Sequence, residues 1–564
     1  MLKNEGNNTS LDEEFKKFEY GNFSTNWRDK LPGFDLNKSK HVAKAPLVSI
    51  IIANYNNEKY LAKMMDSLVK QSLGLEKLQI LFVDDKSTDN SRKVVKEYIA
   101  KYDNIEMYVL NENTGGAHGP RNVGITQARG KYLVFLDADD WLAENALASQ
   151  FELLEKSGDD FAVSKICYTR HGEISVLSPA YSDRVAYNRS FNDLPYEFYN
   201  WMGPQGIMLR TSLVVDNNLH FVDQRVADDV TFFYQAMRLS KNISQTEDFT
   251  TYVNRDADNI SLSKSVNESF MISWLRAIAY AKNSYKMDKS LELFLSKRLE
   301  WLVIDFCLRT DTGYEFSIEG LENFSSLIDY YVGELPFNPS DNFKTDARKI
   351  AWHYLREKDF QNLYDFVKWF KEPRVDKNIV LKNGVFTEIP EGDKFPQVVD
   401  NYIARGLEAS MDESSLYIDF SIYTRERVDF VNLASVSSPY INEKIVFEKN
   451  DTGARLIINL DLLENLPADK YSITVVTNNY NQHKIKIGKL KKYVSSGSII
   501  YNHGNNVSLD TRKIKGRDSI QVKQRVLPFW INKLPEGFYF IKSGNFQELA
   551  KKVKVYLKRR RRNI

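Results

Sequence analysis

Apolar and polar positions divide the chain into stretches of different period. LVSIIIA (47–53) is short, apolar and β-branched, which predicts a strand buried on both faces. Leu61, Met64, Met65, Leu68 and Val69 follow at the i, i+3, i+4, i+7, i+8 spacing of an amphipathic helix. LQILFV (78–83) predicts a second strand that runs into Asp84 and Asp85. Ser87, Thr88 and Asp89 then offer caps to a helix carrying Val94, Val95, Tyr98 and Ile99. IEMYVL (105–110) is a third strand, Pro120 opens a short helix, and YLVFL (132–136) is a fourth strand. This alternation predicts an α/β domain with a mostly parallel sheet, whose ligands sit at the carboxyl ends of the strands. Asp84, Asp85, Asn113, Asp137 and Asp139 all lie just past such ends.

From about residue 265 the apolar spacing becomes helical, as in LELFLSKRLEWLVIDFCL (291–308). After Asn378 the period falls to two, in short segments such as ARLIINLDL and YSITVVT with Asn, Asp, Gly and Pro turns between them. That pattern predicts a β-sandwich-like region. The expected organisation is a polar N-terminal arm over 1–45, the α/β domain over 46–264 and a helical linker over 265–377. A β-rich region over 378–548 and a basic tail over 549–564 complete it.

Composition narrows the classes. Of 564 residues 43 % are hydrophobic, which supports buried cores rather than disorder. Lys plus Arg (77) and Asp plus Glu (75) nearly cancel, so overall charge gives no case for nucleic acid. Aromatic residues make up 13 %, a content that β-rich cores explain as well as sugar-binding surfaces do. Cys167 and Cys307 are too few for a disulfide framework or a cysteine zinc site and read as buried thiols in a reducing, cytoplasmic compartment. The N-terminus lacks the apolar core of a signal peptide, and no run of about 18 apolar residues occurs.

The chemistry-bearing signal is FLDADD (135–140). An Asp-x-Asp pair at a buried strand end sets Asp137 and Asp139 near one terminus as hard oxygen ligands for Mg²⁺ or Mn²⁺. Such an ion bridges a diphosphate and stabilises the charge of a departing nucleoside diphosphate.

Three segments occur in the order that marks family-2 glycosyltransferases of the GT-A fold. They are LVSIIIANYNNEKYLAKMMDSLVKQSL, LQILFVDDKSTDNS and TGGAHGPRNVGITQARGKYLVFLDADD, and the chain closely resembles that family. The resemblance implies a nucleotide-sugar-binding domain in which Tyr55 stacks on uracil and Asp85, with Asp84 as runner-up, accepts the uracil imide hydrogen. It places Asn113 and Arg121 near the uridine and diphosphate; His118, in the same loop, is a bystander. Where the family has proline before the tyrosine, this chain has Ala53, so the strand exit into the nucleotide site is less constrained. RVADDVTFF (225–233) matches the acid pair of inverting members, which implies Asp229 as general base and Asp228 as its neighbour at the acceptor.

A narrower resemblance is to the wall teichoic acid enzymes that attach N-acetylglucosamine to poly(ribitol phosphate). It rests on GGAHGPRN, ADDVTFFYQAM, TYVNRDADNISLS and WHYLREKDFQNLYDFVKW, within roughly 46–390. It implies Arg255 and Ser261 beside the diphosphate, UDP-N-acetylglucosamine or another UDP-sugar as donor and an anionic polyol-phosphate polymer as acceptor. It also implies a homotrimer assembled by the β-rich region. The group's phosphate-loop histidine is Asn259 here; an amide oxygen still ligates a hard cation. The basic tail (Lys551, Lys552, Lys554, Lys558, Arg559 to Arg562) would favour the inner face of the membrane as well as the polymer. The rivals are a capsule or exopolysaccharide hexosyltransferase acting on a lipid-linked oligosaccharide, and a non-catalytic glycan-binding protein.

Overall fold

A computed structural model describes residues 27–524 except 171–172, 177–184, 195, 201, 225, 257–266, 310–315, 372–377 and, beyond 382, short segments mainly between strands. The chain divides into two compact units, Met1–Asn401 with Asn479–Asn481, and Tyr402–Asn478 with Gln482–Ile564.

The first unit is built on a sheet of β1 (Phe34–Lys38), β2 (Val48–Asn54), β3 (Leu78–Asp84), β4 (Ile105–Leu110), β5 (Tyr132–Asp137), β6 (Trp141–Leu142), β7 (Phe161–Arg170), β8 (Glu173–Val176), β9 (Ala186–Arg189), β10 (Ile207–Arg210) and β11 (Ile243–Asn254). Its order is β1-β4-β3-β2-β5-β10-β7-β11-β6, with β8 on β7 and β9 on β11. The four strands β4, β3, β2 and β5 are mutually parallel, as the buried runs predict. The chain proceeds outward from β2 to β4 and then returns to lay β5 on the other side of β2. The carboxyl ends of β2 and β5 therefore form a topological switch point, where α/β sheets bind ligands. Ala53 of β2 pairs there with Asp137 of β5.

Both faces of the sheet are covered. Ile50 and Ile52 share one core with Leu61, Met64, Met65 and Leu68 of helix α1 (Glu58–Val69) and with Val95 of α2 (Ser91–Lys101). Ile51 points the other way, into a core with Val123 of α3 (His118–Gln127). Gly124 permits that packing: a Cβ on it would stand 2.3 Å from Ile51 Cγ2. The sheet is completed by α4 (Ala146–Ser157), α5 (Thr211–Asp216) and α6 (Asp228–Leu239). Phe232 and Phe233 of α6 pack edge-on against Phe135 of β5.

Two boundaries differ from those expected. The arm was expected to run to residue 45, yet β1 within it pairs antiparallel with β4, and Trp27 is buried with its indole nitrogen donating to Asn218 Oδ1. A five-residue edge strand in a polar stretch has no period that sets it apart. The helices α7 (Glu268–Ser284), α8 (Lys289–Val303), α9 (Ile318–Tyr331), α10 (Asp346–Arg356) and α11 (Phe360–Lys371) form where helical spacing predicted them. Leu275, Leu295, Leu321, Leu355 and Phe366 from them join the same core as Ile51, so this segment thickens one face of the first unit. The strands β12 (Asn378–Lys382), β13 (Val385–Ile389) and β14 (Val398–Asp400) also close onto it: Phe395 packs 5.8 Å from Phe366. The unit therefore ends at Asn401 and not at 378.

The second unit is a sheet of short strands between Ile403 and Gln524. Leu416 and Ile418, Val431 and Leu433, Leu456 and Ile458, and Ile473 and Val475 are buried at alternate positions, the predicted period of two. The strand Asn442–Asn450 pairs through Ile445 with one neighbour and from Val446 with another, a change of ladder typical of sandwich corners. Cys167 and Cys307 are free and buried. Among the described residues no helix is long and apolar enough to cross a membrane.

Candidate active site

β2 and β3 end side by side at Asn54 and Asp84. Asp84 is wholly buried, and both its oxygens hold the following turn together. Oδ2 accepts from Asn54 Nδ2 at 2.9 Å and Oδ1 from the Ser87 amide at 2.9 Å. Asp85 differs. Its Oδ1 accepts from the amide and hydroxyl of Thr114 at 2.9 and 3.0 Å, and no hydrogen bond is made by Oδ2 among the described residues. Burial pushes its carboxyl above the usual range, against the Thr114 bonds. Of the two acids, Asp85 is the one with an oxygen to offer a ligand. Tyr55, next to this turn, leaves 50 % of its surface exposed. Asn113 folds back: its amide donates to Asp85 O at 2.8 Å and accepts from the Gly115 N–H at 2.9 Å. It shapes the loop that holds Asp85.

Arg121 lies in the first turn of α3 and is 5 % exposed. One guanidinium nitrogen donates to Asp137 Oδ1 at 2.7 Å, another to Asp228 Oδ2 at 2.9 Å. Burial works to lower its pKa; Asp137, Asp228 and Asp229 outweigh that and raise it. The expected phosphate clamp is thus held by acids from both sides of the site.

Asp137 accepts on its other oxygen from Gln205 Nε2 at 2.8 Å, and the same nitrogen reaches Asp140 Oδ2 at 3.0 Å. Asp140 is 2 % exposed and also accepts from the Asn254 amide at 2.9 Å. Burial, then Asp139 and Asp137, raise its pKa well above the carboxylate range. Asp139 lies between them, partly exposed. Asp137, Asp139 and Asp140 follow one another at one strand exit, and among the described residues no three acidic or imidazole side chains are gathered closely enough to hold a metal ion. Gln205 and Asp140 were not singled out from sequence. The signal for Asp140 is the third acid of DADD; Gln205 lies in an irregular turn, and nothing local marks it.

Ala227 precedes α6 with φ 63°, a left-handed conformation costing roughly 1–2 kcal/mol in a residue with a Cβ. It turns the chain so that Asp228 meets Arg121. Asp229 follows, partly exposed, with Oδ1 accepting from the Val230 amide at 2.8 Å. Its pKa is pushed up to about 7, by burial first and by Asp228 second. Asp228 is raised by burial too, opposed by Arg121. Arg255 follows β11, its amide donating to Thr169 O at 2.9 Å, directly after Asn254, whose amide donates to Asp140. Ser261 and Asn259 lie outside the described residues.

Residues 49–181 match the family model described as Glycosyl transferase family 2. The poly(ribitol-phosphate) beta-glucosyltransferase of Bacillus spizizenii is 26 % identical over 347 residues, 60 % of this chain and 52 % of that protein. The poly(ribitol-phosphate) beta-N-acetylglucosaminyltransferase TarS of Staphylococcus aureus is 23 % identical over 369 residues, 62 % of this chain and 60 % of that protein. The chain therefore spans little more than half the length of these relatives. The crystal structure of S. aureus TarS superposes with a TM-score of 0.51 at 18 % identity, over 85 % of this chain and 86 % of that one. That of its residues 1–349 with UDP-GlcNAc gives 0.50 at 20 %, over 62 % and 99 %. These likenesses show the fold.

Proposed function

From a chain that carries a family-2 glycosyltransferase domain over residues 49–181, we infer an inverting glycosyltransferase that moves a sugar from a UDP-sugar to a hydroxyl of a teichoic acid polyol-phosphate polymer. The observation that supports this most is the double engagement of Arg121. One cation joins Asp137, at the donor strand end, to Asp228, the neighbour of Asp229. Donor-side and acceptor-side acids therefore stand on one guanidinium.

The step is a single displacement. The acceptor hydroxyl forms a bond to the anomeric carbon as the bond from that carbon to the diphosphate oxygen breaks, and UDP leaves. Asp229 takes the hydroxyl proton as attack proceeds; a carboxylate pushed up to about 7 is matched to that work near neutral pH. Asp85 accepts from the nucleobase, and Tyr55 gives it a face. Asp137 and Asp139 would hold Mn²⁺ or Mg²⁺, which when bound neutralises charge on the diphosphate. Arg255 and Ser261 complete the diphosphate side. The basic tail and the β-rich unit place the enzyme, as an oligomer, at a polyanionic surface on the cytoplasmic side of the membrane.

The donor is read as UDP-N-acetylglucosamine. UDP-glucose is the second reading, because the two relatives are named for different sugars. Purified protein with Mn²⁺ or Mg²⁺ is offered UDP-N-acetylglucosamine, UDP-glucose and UDP-galactose, each with and without ribitol phosphate polymer. Polymer-dependent UDP release from UDP-N-acetylglucosamine alone is the expected result. Release that no polymer stimulates would move the acceptor to a lipid-linked oligosaccharide.

A further inference from the structure

The chemistry above gives no part to Gln205, although its amide joins two acids of the strand exit. Its Nε2 donates to Asp137 Oδ2 at 2.8 Å and to Asp140 Oδ2 at 3.0 Å. The reversed amide would set a third acceptor oxygen against those two, so the nitrogen faces the acids. Arg121 donates to the other oxygen of Asp137 at 2.7 Å. A carboxylate held at one oxygen turns easily about its Cβ–Cγ bond, a broad torsion; held at both it keeps one setting. Asp140 is fixed in the same way, because its second oxygen accepts from the Asn254 amide at 2.9 Å.

The backbone beside Gln205 is anchored as firmly. Gly206 has φ 74°, and a Cβ on it would stand 2.6 Å from Ile166 Cγ2 and 2.9 Å from the Ser164 carbonyl oxygen. Only glycine lets the turn lie this close to β7. The Gly206 carbonyl accepts from the Ser164 amide at 2.9 Å, the Ser164 hydroxyl at 2.8 Å and Gln150 Nε2 at 3.0 Å, and its N–H donates to Thr251 Oγ1 at 3.2 Å. Strand β7, helix α4 and strand β11 therefore clamp the residue after Gln205. Gln205 itself is 7 % exposed, whereas the Asp137 side chain it holds is 31 % exposed. A rigid support thus carries an amide whose bonds lead outward, through Asp137 to Arg121 and from Arg121 to Asp228.

We propose that Gln205 is a positioning residue for sugar transfer: its amide sets the Asp137 carboxylate, and through it the Arg121 guanidinium, against the departing diphosphate. The proposal rests on the transferase reading for the identity of the reaction. Nucleobase recognition was assigned to Asp85 and Tyr55, at the turns after β3 and β2, and Gln205 bonds to neither acid of that turn. Loss of its bonds should therefore weaken the transition state and leave nucleotide binding in place.

The test compares full-length wild type, Gln205→Met and Gln205→Glu in steady-state UDP release with ribitol phosphate polymer, calorimetric UDP affinity and denaturant midpoint. Methionine keeps the unbranched shape and removes both donor hydrogens. Glutamate keeps the shape more closely still and turns the donor into an acceptor. Both variants are expected to lower kcat about tenfold. KM for the UDP-sugar and UDP affinity should stay within about twofold of wild type. A lower midpoint with wild-type kinetic constants overturns the proposal, because it leaves the amide a structural role alone. So does a kcat kept by glutamate and lost with methionine, which assigns the effect to shape and not to donation. A loss carried by KM and UDP affinity at unchanged kcat overturns it as well. If glutamate prevents folding, the kcat and KM values of the methionine variant decide. Wild type that releases UDP from no UDP-sugar overturns the transferase reading and the proposal together, whereas the variant outcomes bear on the proposal alone.

Discussion

Arg121 donates to Asp228 at 2.9 Å although 107 residues separate them in the chain. The bond ties helix α3, which follows the loop that holds Asp85, to helix α6, which carries the acid pair. The other arm of the guanidinium holds Asp137, and its carbon lies 5.0 Å from the centre of the Phe221 ring. A buried arginine is tolerable only because these acids surround it.

Replacing Arg121 by methionine leaves the half-buried Asp137 and the buried Asp228 without their cation. A loss of roughly 3–5 kcal/mol is expected, read as a lower denaturant midpoint. Arg121→Lys keeps the charge but cannot fork to both acids, so a smaller stability loss with a large loss of turnover is expected. A midpoint unmoved by methionine would show that the bridge does not form.

Asp229 sets the pH response. With its carboxyl at about 7 it is protonated and inert as a base in mild acid, so kcat is expected to rise with pH and level off above neutral. Asp228→Asn removes the neighbouring charge that helps hold the value up, and should shift the acid limb to lower pH. Stability runs the other way. The folded value is raised above the unfolded one, so this group's contribution is full below about 4 and fades as pH climbs through about 7. An acid limb that stays in place in Asp229→Asn would assign the base elsewhere.

The parallel sheet, the strand-end acids and the helical segment were legible because each depends on local period and on the rule that ligands gather at carboxyl ends. Asp137, Asp139 and Asp229 were marked by that rule and a matching motif, and in the structure Arg121 joins Asp137 to Asp228, the neighbour of Asp229. The bridge through Arg121 was not legible as such: a guanidinium next to a phosphate loop reads as a clamp, and its partner is on a distant helix. Gln205 is a polar residue in an irregular turn, marked by no spacing, and acts through a bond 68 residues away. The β1 edge strand escaped notice because an exposed edge has no buried face to impose a period.

Asp85 and Thr114 separate nucleotide recognition from loop shape. Asp85→Ala removes the two bonds from Thr114 as well as the oxygen offered to the base, and is expected to weaken UDP binding by about 1.5–3 kcal/mol, the range for a hydrogen bond to a charged group. Thr114→Val removes the hydroxyl and its contacts with Asp85 and the Gly116 carbonyl but leaves the amide bond, so a loss well below that is expected. Equal losses in the two variants, measured by calorimetry, would mean that Asp85 serves the loop and not the base.

The three acids of the strand exit should respond differently to amide substitution. Asp140 is buried, and burial with the neighbouring Asp139 and Asp137 raises its pKa, so Asp140→Asn removes a charge that its surroundings disfavour. The introduced amide needs an acceptor. Gln205 can supply it by turning its unpaired Oε1 toward the new group, at the expense of its bond to Asp137. Turnover within about tenfold of wild type is therefore expected for Asp140→Asn, the span of roughly 1.4 kcal/mol. Asp139→Asn removes a negative ligand, and should instead abolish turnover and flatten the response to added Mn²⁺ after chelation. Wild-type turnover that persists in excess chelator would take the cation out of the mechanism and leave Arg121 as the sole charge partner of Asp137.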